Sequence, residues 1–118
     1  MNEMDKIVEQ GLLYDFYGEL LTDLQKQIYE DAVYHDMSLS EIAEEQGISR
    51  QGVHDLIKRC NKILADYESK LHLVEKFENT KARVRALSQE IDALETVCKG
   101  NEHVSNIKRK MNEILEEL

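Results

Sequence analysis

The stretch from Ser38 to Ile57, Ser38-Leu39-Ser40-Glu41-Ile42-Ala43-Glu44-Glu45-Gln46-Gly47-Ile48-Ser49-Arg50-Gln51-Gly52-Val53-His54-Asp55-Leu56-Ile57, limits the fold most tightly. Ser38 with Glu41 three residues on forms a capping box, in which two side chains satisfy orphan backbone N–H groups at a helix start. Gly47 supplies the left-handed backbone that a tight helix exit needs. Ser49 is a good N-cap for the next helix. A short helix, a glycine turn and a serine-capped second helix together read as a helix-turn-helix, with the second helix set outward at a steep angle. Ile48 is expected to plug the core inside the turn.

The rest of the chain agrees with an all-α reading. It has 118 residues, 42% of them hydrophobic, which suffices for one packed body. There is no proline, and there are only five glycines. Leu, Glu, Lys and Ile are abundant, and such a chain is most simply helical. A first helix is expected over about Met4 to Tyr17, with Ile7, Val8, Leu12, Leu13 and Phe16 inward and Gly18 at its end. Phe16 is read as core, and packing is the favoured reading of Tyr14 and Tyr17 too, with an exposed partner surface as the alternative. Thr22-Asp23-Leu24-Gln25 repeats the capping box, and Leu24, Ile28, Ala32 and Val33 mark the second helix's inner face.

After Ser49 no strong breaker occurs for a long way. Val53, Ile57, Cys60, Leu64, Tyr67, Leu71 and Val74 follow at spacings of four and three. Glu78-Asn79-Thr80-Lys81 is the expected turn. Val84, Leu87, Ile91, Leu94 and Cys98 resume the pattern, Gly100-Asn101 breaks it, and Val104, Ile107, Met111, Ile114 and Leu118 form a last amphipathic helix. Sustained spacings of this kind mark helices packed along a seam, within one chain or between two. The expectation is a helix-turn-helix head over residues 1–75 and a long C-terminal helical extension over residues 76–118. The extension would pack on the head or pair two chains into a homodimer.

At about 100° per residue, Val53, Leu56, Ile57 and Cys60 fall on one side of the second motif helix. Gln51, His54, Asp55, Lys58 and Lys62 gather opposite, with Arg50 and Arg59 on the flanks. This outward set is the candidate nucleic-acid-binding or partner-binding face. Gln51 is suited to a base edge, and Arg50, Lys58, Arg59 and Lys62 to phosphates. An amphipathic helix also puts polar residues outside without any ligand. Asp55 within the face repels phosphate, and Glu41, Glu44 and Glu45 line the preceding helix. The net charge is −9, and residues 1–60 carry 5 basic against 13 acidic side chains. Sequence-specific DNA binders are usually basic, so the balance argues against duplex DNA.

Other chemistry finds little support. His35, His54, His72 and His103 are dispersed, with no metal-ligand spacing. No phosphate-binding loop, nucleophile elbow or HExxH motif occurs. No cofactor and no catalytic residue are expected, and the protein reads as a binding module, not an enzyme. Cys60 and Cys98 fall on apolar seams and read as small buried residues. The apolar runs are too short for a membrane span. The N-terminus lacks the regions of a signal peptide, so a cytoplasmic protein is expected.

Tyr14-Asp15-Phe16-Tyr17-Gly18-Glu19-Leu20-Leu21-Thr22-Asp23-Leu24-Gln25 resembles the Phe-Tyr-x-x-Leu-Leu-Thr-x-x-Gln opening of the YlxM-type proteins. The resemblance continues through Ser38 to Glu44, Ile48 to Gln51, Ile57 to Arg59, Ile63-Leu64 and Tyr67 to Leu71. It spans roughly residues 10–75 and weakens after about Phe77. YlxM-type proteins are small bacterial helix-turn-helix proteins related in shape to the fourth region of sigma factors. Their genes commonly lie beside those of the signal recognition particle GTPase and its receptor. The resemblance thus implies an accessory role in protein targeting, with that GTPase or the particle's small RNA as partner. The alternative is a DNA-binding transcriptional regulator. One departure is Gly52, where alanine is usual in the family.

Overall fold

Side-chain caps and left-handed residues divide this chain into helices. The computed structural model describes residues 3–118, and among them there is no strand. Helix α1 is Glu3–Tyr17, followed by a single 3-10 turn, Gly18–Leu20. Helices α2 (Asp23–Val33) and α3 (Leu39–Gln46) both start on complete capping boxes, Thr22 with Gln25 and Ser38 with Glu41. Helix α4 is Arg50–Leu71, α5 Leu73–Val97 and α6 Glu102–Glu117. The fold is all-α. It divides into two compact units, the first ending at Val74 and the second covering Glu75–Leu118.

In the first unit, α4 is the common floor. Its buried Val53 packs in one cluster with Ile28, Ile42 and Ala43. Its buried Cys60 and Leu64 pack in another with Tyr17, Leu21 and Tyr29. Leu56 and Ile57 touch both clusters. Burial raises the Cys60 thiol above its ordinary range, so it acts as a small apolar residue. Cys98 is half-buried.

Polar tyrosines organise this core. The Tyr17 ring is 1% exposed and its hydroxyl donates to Glu68 Oε1. That hydroxyl also accepts the Leu73 N–H at 3.2 Å, and Glu68 Oε1 accepts the Val74 N–H at 3.0 Å. Tyr29 donates to Asn61 Oδ1 at 2.6 Å, and Gln10 Nε2 reaches the same oxygen at 3.2 Å. Tyr14 donates to Glu30 and stacks on Tyr29 with ring centres 5.5 Å apart. Gly18 makes room for this arrangement, because a Cβ there would lie 2.8 Å from the Tyr14 ring.

Several expectations are corrected. Tyr17, not Phe16, is the core residue, since Phe16 is 36% exposed. The Tyr17 hydroxyl can be buried because Glu68 and the Leu73 N–H satisfy it. Ile7, Val8 and Leu24 are exposed, and α2 buries Ile28 and Tyr29. Ile48 is 40% exposed and does not plug the turn. The long seam after Ser49 breaks at His72, not at residues 78–81. His72 takes a left-handed backbone (φ 55°) and ends α4, and its N–H reaches the Glu68 carbonyl. Helix α5 then runs unbroken through Glu78 to Lys81.

The second unit is a helical hairpin. Gly100 turns the chain with a positive φ of 77°, and Asn101 caps α6 by accepting from the His103 and Val104 N–H groups. Lys108 Nζ reaches back to Glu95 at 3.2 Å and Asp92 at 3.4 Å, which sets α5 and α6 antiparallel. These carboxylates, Glu95 first, hold the Lys108 ammonium above the usual lysine range. Val104 and Met111 are buried, whereas Ile107 and Ile114 of the same helix, and Leu118 just after it, are exposed.

Burial first, and carboxylate hydrogen bonds where they occur, raise Tyr14, Tyr17, Tyr29 and Tyr34 above the ordinary 10.0. Tyr34 is pushed up to about 12. Raised values mean that the fold favours the neutral phenol. Their stabilisation is therefore complete below pH 10, and Tyr34's share is lost as pH climbs through about 12. Denaturant melts across that range should show falling stability, with tyrosinate absorbance appearing together with unfolding. Tyr17→Phe removes one buried hydroxyl with two partners and should cost about 1–3 kcal/mol in urea melts.

Candidate nucleic-acid interface

The interface begins with the local signals of the turn. Gly47 adopts φ 68° and its N–H closes on the Ala43 carbonyl. Ile48 N–H bonds the same carbonyl at 3.1 Å. Ser49 Oγ then accepts the Gly52 N–H at 2.9 Å and starts α4. A Cβ on Gly52 would sit 3.1 Å from Ser49 Oγ, a tight contact with the capping atom itself. The glycine at this position therefore gives the cap room, a simpler account than a ligand's close approach.

With Val53, Cys60 and Leu64 buried, the opposite face of α4 must point outward. Arg50, Gln51, His54, Lys58, Arg59 and Lys62 are all exposed. The structure groups them in two shallow depressions. Arg50, Gln51 and His54 line one with Leu39, and Lys58, Arg59 and Lys62 line the other with Asp55. Gln51, Asp55, Lys58 and Lys62 run nearly straight along the helix, over about 17 Å at 1.5 Å per residue. Leu39 went unrecognised in the sequence, because its place beside α4 depends on how α3 packs.

Asp55 is the decisive residue for the electrostatics. Gln51 Nε2 donates to Asp55 Oδ1 at 2.9 Å, and His54 Nδ1 stands 3.6 Å from the same oxygen. One oxygen of the carboxylate thus accepts from its own helix. Among the described residues, Arg50, Lys58, Arg59 and Lys62 enter no ion pair. Four cations that enter no ion pair among the described residues therefore border one exposed carboxylate, which keeps its charge and accepts from Gln51. The acidic excess lies elsewhere, on residues such as the exposed Glu41, Glu44 and Glu45 of α3.

Residues 4–106 match the family UPF0122, described as "Putative helix-turn-helix protein, YlxM / p13 like". The chain belongs to this family. A UPF0122 protein of Acetivibrio thermocellus is 43% identical over 115 residues, covering 98% of this chain and 97% of that protein. One from Clostridium novyi is 36% identical over 113 residues, covering 96% and 98%. One from Streptococcus gordonii is 52% identical over 71 residues, covering 60% and 64%. The match runs past the head through α5 and ends five residues into α6.

No described helix is long and apolar enough to cross a membrane. No cluster of metal-binding side chains occurs among the described residues.

The crowding at Gly52 gives a measurable coupling. Ser49→Ala should cost about 1 kcal/mol through the lost cap. Gly52→Ala gains up to about 1 kcal/mol of helix propensity but crowds the serine hydroxyl. In a double-mutant cycle by urea denaturation, Gly52→Ala should stabilise more in the Ser49→Ala background than in the parent.

Proposed function

We propose that this protein is a non-enzymatic accessory module of the cytoplasmic protein-targeting machinery. Its α4 face docks on the small structured RNA of the signal recognition particle. One observation carries the RNA part: among the described residues Arg50, Lys58, Arg59 and Lys62 enter no ion pair, and Asp55 between them is oriented along the helix by Gln51. That leaves a short positive strip suited to phosphates. The targeting part rests on the resemblance to YlxM-type proteins, and membership of a helix-turn-helix family supports a binding role.

The strip is narrow and the chain carries a net charge of −9, so extended contact with duplex DNA is disfavoured beyond it. A folded RNA can offer a few phosphates without a long run of them. The same geometry weakens the reading as a transcriptional regulator. Gln51, the side chain best suited to a base edge, directs its amide N–H to Asp55. Two heads in one assembly, which the tail's apolar seams favour, would double the phosphate contacts.

Fluorescence anisotropy with the particle's RNA, between about 50 and 200 mM salt, tests this reading. Four phosphate contacts predict a log–log salt slope near −3 per head. Lys58→Ala, Arg59→Ala and Lys62→Ala should each weaken binding and flatten the slope by nearly one. Asp55→Asn should tighten binding several-fold. Absent binding at low salt, or a slope indifferent to these changes, overturns the RNA reading. Retention of the targeting GTPase alone would assign the face to a protein partner.

A further inference from the structure

The tail hairpin carries an apolar face that its own two helices leave uncovered. On α5 the half-buried Phe77, Val84 and Ile91 mark the inward side, continued by Cys98 just after it, and Leu87 and Leu94 lie on one flank. On α6 the buried Val104 and Met111 mark the inward side, and Ile107, Ile114 and Leu118 lie on one flank. Both sets are rotated in the same sense from the inward direction. Rotation runs oppositely in antiparallel neighbours when they are viewed from one end, so the two flanks meet on one side of the hairpin. The ion pairs of Lys108 with Asp92 and Glu95 occupy the other side. They also fix the register, which sets Leu94 level with Ile107 and Leu87 level with Ile114. Leu87 is 57% exposed, Leu94 42%, Ile107 45% and Ile114 48%.

The charges bordering this face are ordered. Arg83 and Glu90 border it on α5, and Lys110 and Glu117 border it on α6. By the same register Arg83 lies within about one residue's rise, 1.5 Å, of Glu117's level, and Glu90 likewise of Lys110's. A two-fold axis along the helices lays α5 of one copy on α6 of another. Each Arg83 then meets the partner's Glu117, and each Glu90 meets the partner's Lys110. The border is thus self-complementary, as an isologous contact requires. Its two cations and two anions offer no excess of one sign to a phosphate-rich or strongly basic partner.

We propose that this face is a homodimerisation surface, covered by the same face of a second copy so that two hairpins form an antiparallel four-helix bundle. This deepens the reading of the tail and does not depend on what the heads bind. A face about 24 Å long and two helices, or about 20 Å, wide gives on the order of 500 Å² per chain and 1,000 Å² per pair. That reaches the size at which a specific interface becomes stable, at the weaker end.

Sedimentation equilibrium of the full chain up to about 100 μM, a range suited to an interface of this size, should show a concentration-dependent dimer. Leu94→Lys, at an exposed position, should give a monomer with unchanged helicity by circular dichroism. Arg83→Glu should weaken association about fivefold, since two rim pairs are reversed, and adding Glu117→Arg should restore it. A parent that stays monomeric, or a dimer indifferent to Leu94→Lys and to the charge reversal, overturns the inference. The RNA titration separates the two proposals. Monomeric Leu94→Lys that still binds RNA with about half the parent's salt slope supports both. RNA binding by a monomeric parent refutes only the dimer, and a dimer without RNA binding refutes only the RNA reading.

Discussion

Burial of one face of α4 is the constraint on which the head depends. Val53, Cys60 and Leu64 are fully buried, and Leu56 and Ile57 bridge the two clusters they join. Every other helix of the head reaches its core through these residues. A helix with one face committed to the core can only turn the other outward. The packing that holds the head together therefore also aims Gln51, His54, Lys58 and Lys62 at solvent. Removing bulk at Val53 or Leu64 would be expected to disturb the interface along with the core.

The electrostatics follow from that orientation at a shorter range. The head is strongly acidic in total, yet exposed charges separated by more than about 8–10 Å are largely screened at ordinary ionic strength. What an approaching phosphate meets first is the local strip. There the Gln51–Asp55 hydrogen bond orients the carboxylate that stands among the cations, with His54 nearby. Net charge describes the whole chain and says little about a strip four cations long. It still limits how far a nucleic acid could wrap beyond the strip.

Much of the head was legible because its signals are local. The capping boxes at Thr22 and Ser38, the left-handed Gly47 and the Ser49 cap each act within a few residues. The outward set on α4 was legible for the same reason, since helical periodicity alone separates it from Val53 and Cys60. The errors arose where distant groups decide. Which ring is fully buried was not legible, because the Tyr17 hydroxyl needs partners, and those partners, Glu68 and Leu73, lie about fifty residues away. His72 carries no sequence mark of a helix end. The alternating apolar seam hid the break, which is fixed by a left-handed backbone and by the anchoring of Leu73 and Val74 on Tyr17 and Glu68.

The sequence by itself determined the helical class, the helix-turn-helix and the residues that α4 turns to solvent. Caps, glycine geometry and a 3.6-residue period are properties of neighbouring residues and need no fold to express them. Only the tertiary structure decided which aromatic ring is core and where the long seam breaks. It alone revealed that Asp55 accepts from Gln51, and that the apolar residues of the tail divide between a buried seam and an open face. These outcomes depend on side chains meeting in a particular geometry, and apolar spacing looks the same whether or not a neighbour arrives to cover it.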